Sequence, residues 1–294
     1  MGGRSTITAV APLLFVAIWS TGWIAGKFAA LDGDPLTFLA VRFAGAIVVL
    51  VPVVVHLGAT WPRGGRAIGH ALISGVMLHA IYLGGVWWAI AHGVPAGLSA
   101  VIAALQPLMT AVLAPRLAGE RIGPRRAAGL VVGLAGIGLV VSPKLAGLDA
   151  ATLAAVAGPL AVNVVAMAAV TLATFHQKRH VGSGHLLAIA VLQYVGALAV
   201  MLPAAAALEP MRFDVNLRSL ATLGWSVIGL SIGAIGLLLH LIRCGEVSRA
   251  ATLIYLVPPV AVTEAWFFFG ETLVPTQIVG IVVTVFGVAV ANRG

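Results

Sequence analysis

The sequence predicts an all-α polytopic membrane protein of ten transmembrane helices, arranged as two inverted five-helix repeats. Three observations carry that prediction. Hydrophobic residues make up 61% of the chain and charged residues only 9%, far below the roughly one-quarter charged of a soluble domain. Apolar runs of about 20 residues, the length that crosses a bilayer, recur between short polar breaks. Matched residues also return at one constant spacing of 151 positions, the mark of a duplicated unit. A soluble fold would leave such helices no polar face to turn towards water.

Ten spans follow in order, at residues 10–30, 36–57, 67–91, 96–116, 124–142, 151–175, 185–207, 219–241, 249–269 and 275–292. The breaks carry turn residues, including Asp32-Gly33-Asp34-Pro35, Pro62-Arg63-Gly64-Gly65 and Gly182-Ser183-Gly184. The first span is expected to be retained rather than cleaved as a signal peptide, because it is the counterpart of the sixth. Spans 4 and 5 read as an apolar helix, a Gly119-Glu120 stop and a restart at Pro124. Spans 9 and 10 repeat the design: Pro107 answers to Pro258, Gly119 to Gly270, Glu120 to Glu271, Pro124 to Pro275, Gly129 to Gly280 and Gly136 to Gly287. Upstream, Arg42-Phe43-Ala44-Gly45-Ala46 aligns with Gln193-Tyr194-Val195-Gly196-Ala197 at the same spacing. The expected division is therefore residues 1–145 and 146–294.

Charge gives the expected orientation. With Met1 inside, the cytoplasmic segments hold twelve basic residues, among them Arg63, Arg66, Arg125, Lys178 and Arg179, against Lys144, Arg212 and Arg218 outside. That bias places both termini in the cytoplasm. The net charge of +8 is then an insertion signal beside anionic lipid, not a nucleic-acid footprint. Five spans per half, an odd number, turn the second repeat upside down, as in many secondary transporters. Cys244 is the single cysteine, which excludes an intrachain disulfide and a cysteine metal cluster.

Two five-helix repeats, each ending in a Pro-bearing helix followed by Gly-Glu and then Pro four residues after the Glu, resemble the EamA family of the drug/metabolite transporter superfamily. Trp19-Ser20-Thr21-Gly22 with Lys27, and Arg42-Phe43 in the next span, are similar to that family's opening. The resemblance covers nearly the whole chain. It implies a multi-pass protein of the bacterial cytoplasmic (inner) membrane, close to exporters of amino acids and related metabolites. It also implies a central cavity between the halves, lined by spans 1, 3, 4, 6, 8 and 9, with spans 5 and 10 peripheral.

Polar groups at mid-membrane depth are costly unless they face protein or water, so each is a candidate for function. Counting to the middle of the spans gives Trp19 to Thr21, His79, Gln106, Asn163 and Ser231, with Tyr255 slightly inside. Tyr82 lies one α-helical turn from His79. The expected substrate-binding set is Trp19, His79, Tyr82, Gln106, Asn163 and Tyr255. Against it stand ordinary interhelical hydrogen bonds for Asn163 and Gln106, and a backbone bond for Ser231. Lys27 and Arg42 either snorkel to the interface or attract a substrate carboxylate. Glu264, the acid placed well inside a span, either carries a proton or pairs with Lys27 or Arg42. His79, whose imidazole titrates near neutrality, is the favoured proton carrier. Glu120 and Glu271 read as turn acids at the start of the following helix. Trp87-Trp88 and Trp225 read as interfacial belt residues. Gly22/Gly26, Gly129/Gly133 and Gly229/Gly233 read as close-packing faces.

Other classes fare worse. The chain has no HExxH and no GxxxxGK[ST], and its GxSxG, Gly229 to Gly233, lies within an apolar span rather than at a strand-to-helix elbow, so neither a membrane hydrolase nor a nucleotide-driven pump is expected, and no cofactor. A scaffold explains ten spans but not polar groups gathered at one depth. Sparse central charge argues against phosphorylated substrates, which call for a basic clamp. The expected cargo is a small neutral or zwitterionic metabolite, with a multidrug carrier of the same fold as the alternative. Proton coupling and a homodimer stay open at this stage.

Overall fold

The computed structural model describes residues 6–118, 123–145, 150–234, 237 and 257–292. These residues are helical and contain no strand; one isolated antiparallel bridge joins Gly33 and Phe213. The helices are α1 (Thr6–Asp32), α2 (Pro35–His56), α3 (Gly65–Gly75), α4 (Gly84–Ala91), α5 (Ala96–Ile102), α6 (Leu105–Ala118), α7 (Pro124–Leu145), α8 (Ala150–His180), α9 (Leu186–Leu208), α10 (Leu217–Gly224), α11 (Val257–Phe269) and α12 (Pro275–Asn292). Two π-helical segments join them: π1 (Val76–Leu83) runs from α3 into α4, and π2 (Trp225–Gly233) continues α10.

Five described helices are long and apolar enough to cross a membrane: Leu13–Asp32, Pro35–His56, Gly65–Ala91, Ala157–His180 and Leu186–Leu208. Four shorter apolar helices accompany them. Span 4 departs from the expected continuous helix, because Ala103 and Ala104 form a turn between α5 and α6. Pro107 has no N–H to give to the carbonyl of Ala103, and a proline ring crowds the carbonyl four residues back. The chain answers with tighter bonds, Ala104 N–H to Val101 O and Gln106 N–H to Ala103 O.

Two compact units are formed: Met1–Ile24, Gly93–Val164 and Ala234–Gly294 make the first, Ala25–His92 and Val165–Gly233 the second. Each unit therefore draws on both sequence halves. Within the second, α2 packs along α9, and α3 with π1 also packs on α9. A Cβ at Gly75 would fall on the Gln193 backbone, and one at Gly196 on the Leu72 carbonyl, so these glycines set the α3–α9 approach. Phe38, Leu39, Phe43, Trp87 and Tyr194 fill the core.

One end of this unit is clamped by polar bonds. The guanidinium of Arg218 grips the Asp32 carboxylate through Nη2 at 2.6 Å and Nε at 2.7 Å, and Asn216 Nδ2 adds a third bond at 2.8 Å. Glu209 caps α2, accepting from the N–H groups of Leu36 (2.9 Å) and Thr37 (2.8 Å) and from the Thr37 hydroxyl (2.9 Å). A carboxylate at a helix N-terminus satisfies orphan donors and opposes the positive dipole end.

In the first unit, α7 and α12 form the most extensive helix pairing. Gly129, Gly136, Gly280 and Gly287 lie in the seam; a Cβ at Gly136 would sit 2.8 Å from Gly280 O, and one at Gly280 2.8 Å from Gly136 O. The expected small-residue face of span 5 is thus realised here. Gly22, by contrast, faces open space, Gly26 meets the Trp87 ring, and Gly229 meets Trp225 of its own helix. Glu271 holds α5 against the segment after α11: its two carboxylate oxygens accept from Ala96 N–H and Gly97 N–H, both at 3.1 Å. This corrects the expectation that Glu271 serves the helix after it. The closest run of orphan N–H groups belongs to α5, which packs on α11. Glu120 lies outside the described residues.

Candidate functional site

Buried polar side chains of the apolar helices are found in each unit. In the first unit, Ser20 is fully buried; its Oγ lies 3.0 Å from the Ala17 carbonyl and donates to Glu264 Oε1 at 2.8 Å. Glu264 Oε2 is buried with no hydrogen-bond partner among the described residues. Asn163, also fully buried, donates through Nδ2 to Ser99 Oγ at 2.7 Å, leaving Oδ1 without a partner. Trp19 is 37% exposed and leans on Phe15 at a centroid distance of 5.5 Å. Gln106 is half-buried, with its carbonyl taking the Thr110 hydroxyl at 2.8 Å. Burial of unmatched amide and carboxyl oxygens is costly in an apolar interior, which makes these atoms places where a ligand or a proton has something to gain.

In the second unit a cluster centres on Arg42, which is 6% exposed. Its Nε and Nη2 donate to Ser231 Oγ at 3.4 and 3.3 Å, and Ser231 passes its own proton to the Ser226 carbonyl at 3.0 Å. The guanidinium carbon lies 5.5 Å from the Trp87 ring centroid, a cation–π distance. Nη1 is buried without a partner among the described residues. His79 stacks on Tyr194 at 4.7 Å and meets Phe43 at 5.9 Å, and Phe43 stacks on Tyr194 at 5.9 Å. Nearby, Gln193 Nε2 donates to Ser74 Oγ at 3.1 Å.

Several expectations change on this geometry. Arg42 does not snorkel; it turns into the unit and is held by Ser231 and Trp87. Its hydrogen bonds go to Ser231, and Glu264 accepts from Ser20 within the other unit. Trp87 is fully buried against Phe38 at 5.9 Å rather than set in an interfacial belt, because the flat ring fills the notch left by Gly26. Trp225 stays 44% exposed, and Trp88 stacks on His92 at 3.8 Å. His79 and Tyr82, both half-buried, sit in π1. A π-helix brings i and i+5 together, so the one-turn relation expected for them does not apply. Lys27 is half-buried on α1. Tyr255 lies outside the described residues.

Sequence reasoning missed Tyr194, Ser74 and Ser99. Tyr194 carried a usable signal, since it occupies the repeat position of Phe43. The serines carried none, because a serine in an apolar helix more often bonds its own backbone. The π segments were also unforeseen, yet residues 76–83 moved by 151 positions overlap π2.

Comparison with known proteins settles the family. The model of the EamA-like transporter family matches residues 6–142 and again 157–293. The chain belongs to the EamA-like transporter family. Among its relatives is the uncharacterized inner membrane transporter YedA of Escherichia coli K12, 28% identical over 94% of this chain and 88% of the relative. A probable terminal-alkyne amino-acid exporter of Streptantibioticus cattleyicolor is 27% identical over 96% of this chain and 92% of its own. A WAT1-related chloroplastic protein of Arabidopsis thaliana is 26% identical over 99% of this chain and 71% of its own. A protein solved by crystallography shares the fold, with a TM-score of 0.64 at 18% identity over 99% of each chain. Membership of this family identifies a membrane transporter of small molecules rather than an enzyme.

Proposed function

We propose that this EamA-like protein is a secondary transporter of the bacterial inner membrane that exports amino acids or similar small neutral or zwitterionic metabolites. It works by alternating access as ten helices in two inverted five-helix repeats, residues 1–145 and 146–294, with both termini cytoplasmic. The observation that carries the substrate class is the spare polar capacity buried in apolar helices: Asn163 Oδ1, Glu264 Oε2 and Arg42 Nη1. A pure scaffold has no use for such atoms, and a carrier of hydrocarbons would be better served by Leu and Phe.

Three further observations support the reading. The two family matches start and end 151 residues apart, the spacing of the repeated residues. The structure pairs α2 with α9 and α7 with α12, which are repeat counterparts. One relative carries an amino-acid exporter's name. Trp19, His79, Tyr82, Gln106, Asn163 and Tyr255 are the candidate substrate contacts. Glu264 takes over from His79 as the preferred proton carrier, because one of its oxygens has no bond to lose, whereas the His79 ring is packed against Phe43 and Tyr194. Lys27 remains a candidate charged contact.

The test is export from cells. A bacterial host expressing the protein should accumulate specific amino acids in the medium, measured by mass spectrometry against a host expressing Asn163→Leu. An unchanged amino-acid profile, with export of cationic dyes instead, would replace this reading with a multidrug carrier.

A further inference from the structure

Among the described residues of its own unit, the guanidinium of Arg42 meets no carboxylate. Asp32 belongs to Arg218, Glu209 caps α2, and Asp34 Oδ2 takes the Arg212 N–H at 2.7 Å. Each described acid of the second unit is thus engaged at the clamped end, Asp214 with Arg212 at 3.9 Å, and none reaches Arg42. A buried cation without a counter-charge is penalised by several kcal/mol. Ser231 and the Trp87 face compensate only in part, as neutral partners do.

The geometry leaves one guanidinium nitrogen buried without a hydrogen-bond partner among the described residues. Guanidinium presents five N–H donors in a planar fork suited to carboxylate. Nε and Nη2 point at one hydroxyl at 3.3 to 3.4 Å, long for such bonds, and Nη1 points at nothing. Ser231 belongs to π2 and His79 to π1. Both segments are irregular helices of a kind that recurs at functional sites; π1 packs on α9 and π2 on α2. His79 is half-buried while Arg42 is closed off, so the cluster has a more open end at the imidazole and a sealed end at the cation.

We infer that Arg42, oriented by Ser231 and Trp87, is the recognition point for the carboxylate of the transported molecule, on a helix outside the six spans that the family resemblance assigns to the cavity. The inference rests on the amino-acid reading above and sharpens it: the cargo must carry a free carboxylate. One unpartnered nitrogen on a single cation suits a monoanion; a phosphate would need further cations. A small inorganic anion such as chloride offers the same charge, and the experiment separates the two.

The protein is placed in lipid nanodiscs in a buffer free of chloride and carboxylates, and its melting temperature is read with added sodium chloride and with four organic probes: L-leucine, isocaproate, L-leucinamide and isoamylamine. The first two carry a carboxylate and the last two do not. Wild type should be stabilised by leucine and isocaproate at concentrations at least tenfold lower than by leucinamide or isoamylamine. Arg42→Gln should erase that difference, and Arg42→Lys should restore part of it. Ser231→Ala, which keeps the cation, should weaken the preference without abolishing it. An Arg42→Gln protein that is folded by size exclusion and still prefers the acids overturns the inference. So does a wild type stabilised by chloride alone with no added effect of isocaproate. Because melting needs no turnover, an acid preference in a protein that moves no amino acid would sink the export reading and leave the carboxylate site standing.

Discussion

Phe43 and Tyr194 stack with their ring centroids 5.9 Å apart, and they stand 151 residues apart in sequence, so the repeat meets itself in the core of the second unit. His79 lies on the other partner of this stack, 4.7 Å from Tyr194. Tyr194 therefore holds two ring contacts at once. Each such pair is worth about 0.5–1.5 kcal/mol beyond burial. Tyr194→Phe should melt within a degree or two of wild type in nanodiscs, whereas Tyr194→Leu should lose about 1–3 kcal/mol. Equal melting of the two variants would remove the stack from the account.

The seam between α7 and α12 makes a sharper prediction, because two glycines of one helix serve as test and control. A Cβ at Gly136 would meet Thr284 and the Gly280 carbonyl, while one at Gly138 would meet nothing within 4 Å. Gly136→Leu should cost about 1–3 kcal/mol or more through overpacking. Gly138→Leu should be silent. Thermal melting in detergent compares them directly.

Glu271 joins α5 to a segment 174 residues away in sequence. Removing its carboxylate leaves two N–H groups at a helix start unpaired. Glu271→Ala should cost about 2 kcal/mol, the range of charged hydrogen bonds. Glu271→Gln, which keeps one acceptor oxygen, should fall between. Hydrogen exchange at Ala96 and Gly97 should rise in the same order.

These residues also mark how far the sequence could be read. The membrane class, the all-helical fold and the family were legible, because apolar length and repeated motifs are properties of the chain itself. Which side of a helix faces protein was not. Lipid and protein interior are both apolar, so a helix such as α2 shows no polar face to reveal its orientation. Trp87 was accordingly expected at the interface and lies in the core, and of the two readings open for Arg42 the snorkelling one gives way to burial. The contact of Glu271 with Ala96 and Gly97 was hidden for another reason, since it depends on which helices pack together. The π segments lack a sequence signature.

Proton coupling is tested at Glu264. In vesicles with an imposed pH gradient, wild-type flux should rise over that in gradient-free vesicles, and Glu264→Gln should lose the response while keeping exchange at equal pH. Retention of the response in Glu264→Gln, with loss in His79→Gln, would return the role to the imidazole. A wild type indifferent to the gradient would mean facilitated diffusion.

The central claim, small-molecule transport by this chain alone, is tested most directly by counterflow in liposomes containing only the purified protein. Vesicles loaded with an unlabelled amino acid should transiently concentrate the same labelled amino acid from outside, above the level in protein-free vesicles, and a sugar phosphate should not exchange. No overshoot for any amino acid, or an overshoot for the sugar phosphate, would contradict the account.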